Sequence, residues 1–161
     1  MSNIQTFLVI GGMALVGMLS LTFFKSDTTQ TASIINNEAI MAATGIGESI
    51  LDKIQTKAFD ETTVGAVVSD VNNLTLQSSF GPDGGETNEL LYDDVDDYNN
   101  YYRYDALQNL GIFMTKVKVS YATKFTPETI SSVRSFNKRV DVFVINSYLA
   151  DTLNMSHIIG Y

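Results

Sequence analysis

Residues 7–24 read FLVIGGMALVGMLSLTFF, without one charged side chain, and residues 34–58 read IINNEAIMAATGIGESILDKIQTKA. As a helix the first run extends roughly 27 Å at 1.5 Å per residue, about the thickness of a bilayer's hydrocarbon core. In the second run Ile35, Ala39, Ala42, Ile46, Ile50 and Ile54 recur at steps of three and four, the signature of one helical stripe. Glu38, Glu48, Asp52, Gln55 and Lys57 fall off that stripe and face water. No proline separates the two runs. One continuous helix is therefore expected, its first half seeking lipid or identical helices and its second half serving as the spine of a head. Gly11, Gly12 and Gly17 cost the helix about 1 kcal/mol each relative to Ala, and they permit close helix–helix approach.

The apolar run admits three readings: a cleaved signal peptide, a permanent anchor, or a helix that leaves the membrane on assembly. The first is the weakest, since no Lys or Arg precedes the run and Phe23-Phe24-Lys25 is a poor cleavage site. Lys25, the nearest cation, lies on the C-terminal side and orients the segment only weakly.

Composition narrows the function classes. The chain has 161 residues, 45% of them hydrophobic, and a net charge of −8 from 18 acidic and 10 basic side chains. Nucleic-acid binding, which relies on cations to neutralise phosphates, is not expected. No cysteine is present, and His157 is the one histidine. Thiolate chemistry, disulfides and multi-histidine metal sites are thereby excluded. The segment GPDGG at 81–85 lacks the lysine of a phosphate loop and reads as turn chemistry. No catalytic residue set emerges, and an enzyme is not expected.

Beyond Phe59 the helical period ends. Val64 to Leu76 reads as short extended segments around a turn, and residues 79–104 as a long polar loop. Strands are expected at Ile112 to Thr123, at Val140 to Tyr148 and at Met155 to Tyr161. In the first, Met114, Val117, Val119 and Tyr121 are set against Lys116, Lys118 and Ser120; in the second, Val140, Val142 and Val144 oppose Asp141, Phe143 and Ile145. A helix followed by antiparallel strands is an α+β arrangement, a long protruding N-terminal helix packed on a small sheet. The expected division is a helix over 1–58, with a membrane or filament-core half at 7–24 and an amphipathic half at 34–58. A β-rich head over 59–161 carries the acidic loop 79–104.

Within that loop Asp93, Asp94, Asp96 and Asp97 follow closely on Asp83, Glu86 and Glu89. A hard cation with oxygen ligands would relieve the repulsion of so dense a cluster, and Ca²⁺ fits better than Mg²⁺, although the spacing is not that of an EF-hand. The competing reading is a solvated acidic loop whose carboxylates cap turns. Tyr98, Tyr101, Tyr102 and Tyr104, next to Tyr92, offer either a contact surface or packing for the loop.

These residues resemble a known family. AATGIGESILDKIQTKAFDE at 42–61 is similar to the end of the long helix in type IV pilins and pseudopilins. FGPDGGETNELLYDDVDDY at 80–98 resembles the loop of minor pilins of the mannose-sensitive haemagglutinin type, in which a Gly-rich segment leads to an Asp-Asp-Val-Asp-Asp-aromatic motif. Lys138-Arg139-Val140-Asp141-Val142 and the last strand fit the same order. The resemblance implies a bacterial chain held in the inner membrane before assembly. It then polymerises with itself, alongside other pilins and an assembly machine, into an extracellular filament. Phe7, Leu8, Val9, Ile10, Leu15, Val16, Leu19, Leu21, Phe23 and Phe24 would form the filament core. The resemblance also places Met1 and Gln5 at the contact between subunit N-termini, with neutral Gln5 where the family carries Glu. The alternatives are a secretion pseudopilin, or a single-pass anchored extracytoplasmic module that presents the acidic, tyrosine-rich loop to a partner.

Overall fold

A computed structural model describes residues 3–161, apart from the side chains at 27–29. Helix α1 spans Asn3–Gln55, and five strands follow: β1 (Tyr102–Leu107), β2 (Gly111–Ala122), β3 (Ile130–Ser131), β4 (Asn137–Ile145) and β5 (Leu153–Gly160). All pair antiparallel, in the order β1-β2-β4-β5, with β3 added to β2 at Tyr121↔Ser131 and Ala122↔Ile130. The fold is α+β, a long N-terminal helix packed on an antiparallel sheet.

The chain divides into two compact units, residues 1–38 and 39–161. The amphipathic half of α1 thus belongs to the same unit as the sheet from Ala39 onward. There Ala39, Ala43, Ile50, Leu51 and Ile54 are buried with Phe113, Val117, Val119, Val140, Val142 and Val144. Burying each Val or Ile side chain contributes about 1.5–3 kcal/mol. Ala39, Ile50 and Ile54 of the expected stripe are buried, and its middle part is shifted by one position. Ala43 and Gly47 are buried, whereas Ala42 and Ile46 are half-buried. A Cβ on Gly47 would lie 2.6 Å from Sδ of Met155 on β5 and 3.6 Å from Cγ2 of Val144 on β4. A side chain there would require the flexible Met155 side chain to shift, since helix and sheet approach closely.

The helix ends at Gln55, three residues before the expected limit. Its last turn tightens as Thr56 N–H and Lys57 N–H donate to the Lys53 and Ile54 carbonyls. Ala58 then leaves the helical path altogether. Its N–H donates to Asp93 O at 2.9 Å, and its carbonyl accepts from Val95 N–H at 3.0 Å.

Several expectations for the head need correction. Phe113, Thr115, Val117, Val119 and Tyr121 form the buried row of β2, so Met114 stands on the opposite face with Lys116 and Lys118. Ser120 is buried although it belongs to that outer face. Strand β1 lies within what reads as loop: its Tyr, Arg and Asp residues mask an alternation that pairs Tyr102 with Lys116 and Tyr104 with Met114. The β1–β2 turn uses positive φ at Asn109 (70°) and Gly111 (73°), backbone conformations suited to those two residues. Val64 to Leu76 contains a one-turn 3₁₀ helix, not strands. Asp70 caps it by accepting from Asn72 N–H at 2.9 Å, a local bond that competes with extended pairing.

Candidate functional site

In the N-terminal unit, the helix is long and apolar enough to cross a membrane, and none of its most apolar window is buried. Phe7 is 76% exposed and Leu19, the least open of the core candidates, 56%. Leu8, Val9, Ile10, Leu15, Val16, Leu21, Phe23 and Phe24 lie between them. Nothing within 4 Å would meet a Cβ at Gly11, Gly12 or Gly17. Contiguous apolar exposure on this scale marks a surface that meets lipid or protein. Gln5 lies within α1; Met1, expected beside it at the subunit contact, lies outside the described residues.

In the second unit the acidic loop is organised around a lysine. Lys138 enters from β4, on the inward row that continues through Val140, Val142 and Val144. Its ammonium donates to Phe59 O at 2.7 Å, to Asp60 Oδ2 at 3.0 Å and to Asp96 Oδ1 at 2.5 Å. Phe59 and Phe80 present ring centroids 4.8 Å from Nζ, and Tyr121 one at 5.7 Å. The Lys138 and Asp60 side chains have no solvent exposure. The Tyr121 hydroxyl donates to Thr75 O at 2.6 Å.

Asp60 is further satisfied by Thr62 and Thr75. It accepts from the backbone N–H and the hydroxyl of both. Burial opposes its ionisation, but the Lys138 charge and the bonds from Thr62, Lys138 and Thr75 hold its carboxyl below the ordinary value. A charge buried at this depth is tolerated because every ligand to it is already in place.

The four loop aspartates have different partners. Asp96 is committed to Lys138 inside the head. Asp97 Oδ2 accepts from the backbone N–H groups of Asp93 and Asp94, and Asp94 Oδ1 from that of Asp97, closing the motif on itself. Burial, with the charge of Asp96 next in importance, pushes Asp94 up to about 9. Burial also pushes Asp97 up, to about 7, despite the backbone donors that stabilise its charge. Carboxylate oxygens do converge in two other groupings, Glu61 with Asp93 and Asp94, and Glu86 with Asp93 and Asp97. Within each they lie within 4.8 Å of one another. Asp93 is common to both. Of the four aspartates expected around a cation, Asp93, Asp94 and Asp97 fall in these groupings and Asp96 does not.

The tyrosines also divide. Tyr98 is completely buried, its ring edge-on to Tyr92 (5.1 Å) and Tyr101 (5.6 Å), so it packs the loop and cannot meet a partner. Tyr101 is half-buried, and its hydroxyl donates to Glu89, which pairs with Lys53 of α1 at 3.1 Å. Tyr102 and Tyr104 are open to solvent, with centroids 6.2 Å apart. A cavity of about 420 Å³ is lined by Tyr102, together with Tyr92, Tyr101, Glu89, Asp97 and Asn99, among others. His157 sits in β5, paired with Val140, and is half-buried.

Sequence reasoning missed Lys138 and Asp60 as a pair. The available signal was a lysine two positions before Val140, in phase with the inward row Val140, Val142 and Val144. Comparison with family models, with curated proteins and with solved structures gives no match for this chain.

Proposed function

We propose that the chain is a structural subunit of an extracellular filament of the type IV pilus kind, polymerising through residues 7–24. One observation carries this reading: an apolar helix with no buried window continues, unbroken, into an amphipathic half that is the spine of a folded head. A free, water-exposed helix of that composition is unfavourable, so the segment resides in lipid or among copies of itself. Packing identical helices around an axis by a rotation that does not close generates an open polymer. Filament assembly then requires no ligand chemistry from the head.

The second reading is a single-pass anchored extracytoplasmic module. It is favoured by the open Tyr102–Tyr104 pair, which offers aromatic contact area at low entropic cost. Because the chain has no cysteine, introduced thiols report only on the positions chosen. Pairs of cysteines scanned through residues 7–24 in cells should give covalent ladders well beyond the dimer on oxidation. A scan that yields monomer throughout would support the anchored module instead.

A further inference from the structure

Some cations of this head pair with a carboxylate and others do not. Lys53, Arg103, Lys138 and Arg139 each pair with a carboxylate. Lys124 and Arg134 have no carboxylate partner among the described residues, although acidic side chains outnumber basic ones 18 to 10. Lys57, Lys116 and Lys118 likewise have no carboxylate partner among the described residues; Lys57 donates to Tyr92 O, and Lys116 and Lys118 stand on the open face of β2. Lys124 and Arg134 instead line one cleft of about 570 Å³, together with Val71, Ser135, Phe136, Asn137 and Tyr161. That volume lies within the roughly 300–1,000 Å³ of small-ligand sites.

The walls of the cleft are fixed. Phe136 and Tyr161 stack with centroids 5.7 Å apart and planes 30° from parallel. Tyr161 N–H donates to Phe136 O at 3.0 Å, and the Tyr161 hydroxyl accepts from Val68 N–H at 2.9 Å. Ser135 is held by its bonds to the Ala122 and Asn137 carbonyls. Arg134 is secured at one end only. Its Nη1 donates to Asn72 O, while its buried Nε has no acceptor among the described residues. Arg134 and Lys124 both line the cleft, and a planar guanidinium with an ammonium is a donor set that takes an oxyanion. The neighbouring aromatic pair suits a flat or apolar body attached to it.

We infer that this cleft binds a small organic oxyanion, a carboxylate or phosphate carried on a ring or apolar group. Arg134 and Lys124 hold the charged end, and Phe136 and Tyr161 face the body. The inference does not depend on filament formation.

The test is a titration of the full chain in an uncharged detergent, followed by calorimetry and by the aromatic NMR signals of Phe136 and Tyr161. Phenyl phosphate and benzoate serve as probes, with benzyl alcohol as the uncharged control. Saturable binding of either anion, weakened about tenfold in Lys124→Gln and in Arg134→Gln, supports the site. The stronger of the two anions identifies a phosphate or a carboxylate ligand. Lys124 is exposed, so Lys124→Gln gives a clean comparison even if Arg134→Gln unfolds. Failure of both anions to saturate overturns the inference. So does equal affinity for benzyl alcohol, or unchanged affinity in Lys124→Gln.

Discussion

The Lys138 ammonium stands 3.0 Å from Asp60 Oδ2, with neither side chain reaching solvent. This pair joins the strand β4 to the segment that follows α1, and through Asp96 it also fastens the acidic loop. Losing the lysine would leave two carboxylates facing each other without a cation. Lys138→Met is therefore expected to destabilise the head by about 3–5 kcal/mol, well beyond a typical surface substitution. Urea titration of the full chain in detergent measures it. A loss below about 1 kcal/mol would mean that the pair adds little beyond the packing of its aromatic surroundings.

Protonation gives a second prediction. In the unfolded chain Asp94 and Asp97 titrate near 3.8, and in the folded chain both are raised, to about 9 and about 7. The folded state thus binds more protons over that interval, and the stability these groups contribute falls as pH rises through it. Asp60, whose value is lowered, acts in reverse and removes stability as pH falls below 3.8. Stability should be greatest in mildly acidic solution and decline toward pH 9. Asp94→Asn keeps an oxygen to accept from Asp97 N–H, so it should flatten the decline and add about 1 kcal/mol or more at pH 8. Melting curves from pH 4 to pH 9 decide the point. An Asn variant with the parent's slope would show that Asp94 is ionised in the folded chain at neutral pH.

Two glycines of one helix should respond oppositely to substitution. Gly45 has open space around its missing Cβ, so Gly45→Ala is expected to stabilise the chain by up to about 1 kcal/mol through helix propensity alone. At Gly47 a Cβ meets Met155 Sδ at 2.6 Å, and Gly47→Leu should cost about 1–3 kcal/mol by forcing helix and sheet apart. Thermal melts of both variants test the helix–sheet contact. Equal responses would show that Gly47 does not seat the helix.

Much of this architecture is legible in the sequence because it depends on period. The stripe from Ala39 to Ile54 and the alternation Val140, Val142 and Val144 both follow from burying one face. What remained hidden depends on contacts between distant residues. Nothing local marks Lys138 as buried, since its partners Asp60 and Asp96 lie 78 and 42 positions away. The acidic motif reads as one cation site only while its side chains are taken to point together. The 3₁₀ turn at Asp96–Tyr98 sends Asp96 and Tyr98 into the core while Asp93 remains exposed. The apolar run is legible as a surface that meets lipid or protein, whereas its partner is a property of the assembly.

The central claim, that residues 7–24 build a polymer, is tested most directly by electron microscopy of material sheared from cells, with mass spectrometry of the fibres. Leu15→Arg serves as the control, since a charge at the centre of an apolar span costs about 2.5–3.5 kcal/mol. The account predicts thin fibres containing this chain, lost in Leu15→Arg while the isolated chain keeps a folded head. A chain confined to the membrane fraction, with no fibres that contain it, would contradict the account.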